Sequence, residues 1–94
     1  MTLFISYDFT NDKVRSQFSK FLTKYGRRIQ YSVYEITNSQ RYSDKVMAEI
    51  NSKWRPMFSA TDSIWVWEMT DNDAENRIHK YGYAENENRN VVFL

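Results

Sequence analysis

The spacing of hydrophobic residues along this 94-residue chain changes several times, and each change predicts a new element. Residues 2–8 form an apolar run without strict alternation, which is typical of a central strand buried on both faces. Apolar side chains then recur at helical spacing and predict a first helix, with Thr10, Asn11 and Asp12 as candidate N-caps and Gly26 as its stop. The apolar stripe of this helix consists of Val14, Phe18, Phe21, Leu22 and Tyr25.

Alternation with a period of two begins at Arg27 and predicts one strand over residues 27–36. Ile29, Tyr31 and Val33 would share one face of this strand. The opposite face would be polar and aromatic, and it would carry Arg28, Gln30, Ser32 and Tyr34.

A second apolar stripe predicts a second helix that ends before Pro56, because proline lacks the N–H group that a helix needs. Its members are Val46, Met47, Ile50 and Trp54.

The alternation over residues 62–69 predicts a third strand with an aliphatic face and a tryptophan face. Ile64 and Val66 point one way, and Trp65 and Trp67 point the other. Both predicted helices are needed on the isoleucine and valine side, so a partner chain is the expected cover for the two tryptophans. Cover by another part of the same chain is the alternative.

The last quarter of the chain is more polar. The composition of residues 70–75 predicts a loop. The pattern of residues 77–81 predicts a short strand that ends at Gly82. Residues 85–90 have the composition of an acidic linker, and the four apolar residues 91–94 predict a strand that adds to a sheet edge. We therefore expect one domain over residues 1–84, followed by a linker and strand over residues 85–94 for dimer or partner contact.

Composition narrows the function classes. The chain has no cysteine, which excludes disulfides, thiolate catalysis and zinc–thiolate sites. It shows neither a signal peptide nor a membrane-spanning run, so we expect a cytoplasmic protein. Its 3 Trp, 7 Tyr and 6 Phe exceed what a small core needs and favour a homo-oligomer.

The charge is unevenly distributed. Residues 1–56 hold 10 basic and 5 acidic side chains, whereas residues 57–94 hold 3 basic and 7 acidic ones. This division fits an anionic partner bound on one side, or else chance clustering on an ordinary solvated surface.

Asp8 is the first candidate for chemistry, because it ends a buried strand just before a helix. A carboxylate there suits Mg²⁺, which accepts one or two carboxylates together with waters and phosphate oxygens. Capping of the next helix is the alternative role. The lone His79 is more typical of a structural or surface residue than of a catalytic base.

Several basic residues suit phosphate groups. Lys13 and Arg15 lie on the predicted first helix, and Arg27 and Arg28 begin the following strand. Arginines interleaved with tyrosines are typical of nucleic-acid backbone contact. A solvated helix face, with lysine stems covering apolar surface, is the alternative.

Two segments together resemble a known family. They read ISYDF followed by NDKVR at residues 5–15, and YGRRIQYSVYE at residues 25–35. The pairing closely resembles the small CRISPR-associated protein that partners the CRISPR integrase in spacer acquisition, also described as a CRISPR-associated endoribonuclease. The match is good over residues 1–36, and residues 81–84 (YGYA) with the apolar C-terminus are also similar to a branch of that family.

The resemblance implies an α+β, ferredoxin-like βαββαβ sandwich with an extra C-terminal strand. In that family the second strand bends into two pairing segments, here expected around residues 33–36. The resemblance also implies a face-to-face homodimer, with Trp65, Trp67, Tyr34 and Phe93 at the interface.

The resemblance implies two activities. One is architectural: the dimer bridges two integrase dimers and lies along the backbone of incoming double-stranded DNA. The other is metal-dependent cleavage of RNA or DNA, with one Mg²⁺ per dimer between the two copies of Asp8. Carried over by position, Asp8 matches the metal-binding Asp, and Tyr7, Arg15 and Tyr34 would shape the site, with Asp8 and Tyr7 as the candidate catalytic residues. The basic residues named above, Lys13, Arg15, Arg27 and Arg28, are the candidates for binding double-stranded DNA or single-stranded RNA. A non-catalytic scaffold, a Mg²⁺-dependent endonuclease and a toxin-like ribonuclease of related fold all stay open at this point.

Overall fold

A computed structural model describes residues 1–37, 40–79 and 81–82 of the chain. The βαββαβ order that the family resemblance implies is confirmed, with short helical segments before and after the last strand. In chain order the elements are β1 (Thr2–Asp8), α1 (Asp12–Thr23), β2 (Arg27–Gln30), β3 (Val33–Ile36), α2 (Gln40–Glu49), a π-helical turn (Ile50–Trp54), a 3₁₀ turn (Arg55–Met57), β4 (Ser63–Met69) and α3 (Asp71–Arg77).

The strands form one antiparallel sheet in the order β2-β3-β1-β4, which is the ferredoxin-like arrangement that the family resemblance implies. Strand β1 lies in the centre and pairs along its whole length with β4, from Thr2 opposite Met69 to Asp8 opposite Ser63. On its other side β1 pairs with β3, with Ile5 opposite Tyr34. The central position explains why β1 is apolar on both faces.

The core lies between one face of the sheet and the helices α1 and α2. Strand β1 contributes alternate residues to it, and the aromatic ring of Phe18 packs edge-on against both Tyr7 and Trp54 with centroids 5.0 Å apart. The fully or almost fully buried members include Leu3, Ile5, Tyr7, Phe9, Phe18, Leu22, Tyr34, Ile36, Val46 and Trp54. Both predicted helical stripes therefore face this layer.

Asn11 caps the N-terminus of helix α1, and its side-chain oxygen accepts a hydrogen bond of 2.9 Å from the backbone N–H of Val14. After the end of α1, the backbone passes very close to β3 at Gly26. A Cβ atom at Gly26 would lie 2.3 Å from the carbonyl oxygen of Glu35 and 2.7 Å from Ile36 Cγ1. Glycine is required there by contact with the neighbouring strand and not only as a helix stop.

The prediction of a single strand over residues 27–36 is wrong. The chain turns at Tyr31 and Ser32, so that β2 and β3 form a hairpin with a register shift between Arg28 and Gln30. The turn reverses the assignment of faces: Tyr34 lies in the core with no exposed surface, whereas Tyr31 is 70% exposed. The break also comes earlier than the expected bend around residues 33–36.

The prediction of a loop over residues 70–75 and a strand over residues 77–81 is also wrong. Residues Asp71–Arg77 form α3, with Thr70 Oγ1 accepting a hydrogen bond of 3.1 Å from the N–H of Asp73. Only Ala74 of this helix is buried, so no apolar stripe announced it. Residues 78–79 continue outside regular structure.

The predicted linker and terminal strand of residues 85–94 lie outside the described residues, and so does Phe93. Among the residues that the structure does describe, no helix is long and apolar enough to cross a membrane.

Candidate functional site

The sheet has a second face, opposite the core, on which Asp8 and the two exposed tryptophans lie together. Side chains alternate along β1, so Phe4, Ser6 and Asp8 share this face. Their partners on β4 are Trp67, Ser63 and Trp65: Phe4 pairs with Trp67, Ser6 with Trp65, and Asp8 with Ser63. The predicted metal-binding carboxylate and the predicted interface residues are thus neighbours in the sheet.

The tryptophan pair is stacked and open to solvent. The ring centroids of Trp65 and Trp67 lie 6.0 Å apart with planes 26° apart, and the residues are 63% and 44% exposed. The helix that sequence reasoning missed, α3, packs toward the far end of this face, where Thr2 Oγ1 donates a hydrogen bond of 2.8 Å to Asp71. It leaves both indole rings exposed.

A second carboxylate, Asp62, lies at the same edge of the sheet as Asp8, directly before Ser63. Its Oδ1 accepts a hydrogen bond of 2.9 Å from the N–H of Thr10, and its Oδ2 accepts one of 2.9 Å from the N–H of Ser59. These backbone donors hold the pKa of Asp62 below its ordinary value. Asp62 therefore ties the β1–α1 loop to the start of β4.

One protomer does not assemble a metal site around Asp8. In the part of the chain that the structure describes, no group of three or more His, Asp or Glu side chains is placed to hold a metal ion. Asp8 itself is exposed, and Asp62 is already engaged by Thr10 and Ser59. Two copies of Asp8 would be needed to supply Mg²⁺ with two carboxylates.

Tyr7 does not lie beside Asp8, since the two residues alternate to opposite faces of β1. Tyr7 is only 4% exposed and faces the core layer, and burial raises the pKa of its phenol. The phenol therefore stays protonated at neutral pH and can donate a hydrogen bond.

Tyr7 instead helps to line a cleft of about 210 Å³ between α1 and the β2–β3 hairpin, which we call the arginine cleft. Its positive charge comes from Arg15 and Arg28, and its hydroxyl groups from serine and tyrosine side chains. The lining residues are Tyr7, Asp12, Arg15, Ser16, Ser19, Arg28 and Tyr31. Two of the four predicted nucleic-acid-binding residues thus meet in one place.

The two arginines of the cleft are anchored differently. Arg15 Nη1 donates a hydrogen bond of 2.8 Å to the carbonyl oxygen of Phe9, and its Nη2 pairs with the exposed carboxylate of Asp12. Arg28 Nη2 donates a hydrogen bond of 2.7 Å to Ser19 Oγ. The guanidinium of Arg28 also lies over the ring of Tyr34, 5.6 Å from its centroid.

Arg27 lies apart from the arginine cleft, on the opposite face of the hairpin. Its Nε and Nη2 donate hydrogen bonds of 3.0 and 2.8 Å to Oε1 of Glu35, which is only 4% exposed. Lys13 is exposed on α1, and His79 is exposed after α3. The structure thus separates Arg27 from Arg15 and Arg28.

A family model described as CRISPR associated protein Cas2 matches residues 1–77 of the chain. Among proteins with curated descriptions, none matches the sequence significantly.

Two solved structures have a similar fold. Cas2 of Streptococcus pyogenes is 21% identical with a TM-score of 0.67, and the match covers 87% of this chain and 100% of that one. A hypothetical protein of Thermus thermophilus is also 21% identical with a TM-score of 0.59, over 73% of this chain and 80% of that one. At this level of identity, the similarity establishes the shared ferredoxin-like arrangement.

Proposed function

This chain belongs to the CRISPR associated protein Cas2 family, and we propose that it is a homodimeric CRISPR adaptation subunit. In this role the dimer bridges two integrase dimers and lies along the backbone of incoming spacer DNA. The observation that carries the proposal is the exposed, stacked Trp65–Trp67 pair on the face of the sheet opposite the core.

A second copy of this chain is the occupant that best suits the tryptophan face. Large exposed aromatic rings are enriched at the centres of protein interfaces. Two such faces brought together around a two-fold axis would bury four indole rings. Asp8 lies on the same face, so the axis would also bring the two Asp8 carboxylates toward each other.

The arginine cleft is the proposed contact with the DNA backbone. Arginine presents a planar set of donors that suits phosphate oxygens, and Ser16 and Tyr31 add hydroxyl donors to the cleft. Lys13 is exposed on the same helix but does not share the face of Arg15, because residues two apart on a helix point in different directions. Arg27 has a different role in this proposal, because its ion pair with the buried Glu35 stabilises the hairpin.

The test of the scaffold role is spacer acquisition in cells that carry the integrase and a CRISPR array. Asp8→Asn should leave acquisition unchanged if the role is architectural, whereas Trp65→Ala/Trp67→Ala should abolish it together with dimerisation. Asp44→Asn on the exposed side of α2 is the matched control. Loss of acquisition in Asp8→Asn, with normal melting and normal dimerisation, would contradict a purely architectural role.

Metal-dependent cleavage of RNA or DNA is a second candidate, favoured by the exposed carboxylate of Asp8 at the strand end. Mg²⁺ held by the two copies of Asp8 would supply charge neutralisation at a phosphodiester and a water of lowered pKa. Tyr7 is not placed to assist there, since it faces the arginine cleft.

Cleavage assays on single-stranded RNA and duplex DNA, with Mg²⁺ and with chelator, test this second candidate. Activity that needs Mg²⁺ and disappears in Asp8→Asn, but persists in Tyr7→Phe, is the expected pattern. Activity that is equal in wild type and Asp8→Asn would point to a contaminating nuclease or another site.

A further inference from the structure

A second positively charged surface lies on the outer side of the helical layer, away from the arginine cleft. It is a groove of about 460 Å³ between α1 and the π-helical turn Ile50–Trp54, and we call it the lysine groove. Lys20 and Lys24 line it from α1, and Lys53 lines it from the turn. Among the described residues that line the groove, Glu49 alone has a carboxylate, and this carboxylate accepts a hydrogen bond of 3.3 Å from the Trp54 indole N–H.

The local structure holds the three lysines near one another. Lys20 and Lys24 are four residues apart and so lie about 6 Å apart along the axis of α1. Lys53 is fixed from the other side, with its Nζ 4.9 Å from the centre of the Trp54 ring. The turn that presents Lys53 is π-helical, a conformation that is rare and is often found at functional sites.

The groove keeps a net positive charge. Lys20 and Lys24 repel each other slightly at this spacing, although both lie at the C-terminal end of α1, where the helix dipole favours cations. Glu49 offsets only one of the three lysine charges. A polyanion in the groove would relieve the remaining repulsion between the lysines.

The apolar floor of the groove tells which polyanion fits. Trp54 and Phe21 are 2% and 6% exposed, so neither ring offers a platform on which a base could stack. The same burial leaves no apolar anchor for an acidic peptide. What is accessible is lysine charge, which suits sequence-independent contact with phosphates.

We infer that the lysine groove binds the phosphate backbone of duplex DNA, at a place separate from the arginine cleft. The inference rests on the proposed DNA-binding role, but it uses different residues. A dimer would then contact duplex DNA through two kinds of surface. Lys13 lies on the same stripe of α1, seven residues before Lys20, and would continue the track toward the start of the helix.

The test compares two variants of the full chain that remove the same charge at the same helical spacing. Lys20→Gln/Lys24→Gln removes the two positive charges that α1 contributes to the lysine groove. Arg41→Gln/Lys45→Gln removes two exposed charges from α2 and is the matched control. Binding of a fluorescent DNA duplex is measured by anisotropy over a range of salt concentrations, for two unrelated sequences.

The logarithm of the association constant falls linearly with the logarithm of the salt concentration, and each phosphate contact adds about 0.9 to the steepness of that fall. The groove variant lacks two such contacts, so its slope should be about 1.8 less steep than that of wild type. This corresponds to roughly 60-fold weaker binding at 0.1 M salt, with the difference vanishing toward 1 M. The control should keep the wild-type slope. The helix propensity of glutamine is similar to those of lysine and arginine, so both variants should melt close to the wild-type temperature.

Equal losses in the groove variant and the control would mean that only net charge matters and would overturn the inference. An unchanged slope in the groove variant would overturn it as well. Arg15→Gln separates the two proposals: a loss with Arg15→Gln but not with the groove variant overturns the lysine groove and leaves the arginine cleft standing. The reverse pattern supports the groove and contradicts the cleft.

Discussion

The guanidinium of Arg27 and the carboxylate of Glu35 form an ion pair across the β2–β3 hairpin, with Nη2 and Oε1 2.8 Å apart. The two residues are register partners in adjacent strands. The side chain of Glu35 is 5% exposed and that of Arg27 is 43% exposed, so the arginine shields a buried negative charge at the edge of the sheet.

We expect Arg27→Gln to lower the free energy of unfolding by about 2 kcal/mol, because it leaves the Glu35 carboxylate buried without this counter-charge. Urea denaturation measures the loss. The double variant Arg27→Gln/Glu35→Gln should recover part of it, since it removes the buried charge as well. A midpoint equal to that of wild type in Arg27→Gln would contradict this role and return Arg27 to the candidates for DNA contact.

Gly26→Ala should destabilise the protein by about 3 kcal/mol, because the new Cβ would meet the backbone of β3 rather than a movable side chain. Gly82→Ala is the comparison. Among the described residues, no atom lies within 4 Å of the Cβ position at Gly82, but the φ of 83° at Gly82 disfavours alanine by about 1 kcal/mol. Thermal melting of both variants checks the order; an equal or larger loss for Gly82→Ala would refute the close approach at Gly26.

Tyr34→Phe should cost about 1–2 kcal/mol in stability and leave the oligomeric state unchanged. The Tyr34 hydroxyl lies 2.6 Å from Ser19 Oγ and 3.1 Å from Thr23 Oγ1, so its loss removes one hydrogen-bond partner from each of these hydroxyls of α1. Tyr81→Phe, at a residue that is 75% exposed, is the control. A shift from dimer to monomer in sedimentation velocity would instead support the interface role predicted for Tyr34 from the sequence.

Asp62 should make stability depend on pH in the acid range. Its folded-state pKa lies below the ordinary value of 3.8, so its contribution is complete above that value and is lost as the pH falls through the folded-state pKa. Asp62→Asn should melt lower than wild type at neutral pH, and the gap should narrow between about pH 4 and about pH 2. Melting curves whose separation stays constant over that range would show that the carboxylate charge is not what holds the loop.

Trp65→Ala/Trp67→Ala should weaken dimerisation at least about 100-fold, since buried tryptophans at interface centres each contribute about 2 kcal/mol or more. Sedimentation equilibrium measures the dissociation constant. Tyr31→Ala/Tyr42→Ala removes two other exposed aromatic rings and should leave the dissociation constant of the dimer unchanged. Equal weakening in both variants would argue against the tryptophan face as the contact.

The sequence predicted the parts of the fold that have a clear apolar period. The buried run of β1, the stripes of α1 and α2 and the alternation around Trp65 each led to the correct element. The hairpin at Tyr31 and Ser32 was missed because the alternation runs through the turn without a glycine or proline. Helix α3 was missed because a seven-residue helix that buries only Ala74 has no apolar period.

The candidate site was predictable only where residues are neighbours in the chain. The position of Asp8 at a strand end follows from its own segment. Its proximity to Trp65 depends on the pairing of β1 with β4, more than fifty residues away. The separation of Arg27 from Arg28 follows from strand alternation, but the pairing of Arg27 with Glu35 requires the hairpin register.

One of the three tryptophan rings is buried and two are exposed, so the intrinsic tryptophan fluorescence of the protein can report on association. Trp54 is 2% exposed, and its environment should not change on association, whereas Trp65 and Trp67 would pass from water into an apolar contact. A blue shift of emission with rising protein concentration would therefore report assembly without a label. Because the exposed pair is stacked at 6.0 Å, its circular dichroism should also register any rearrangement of the two rings.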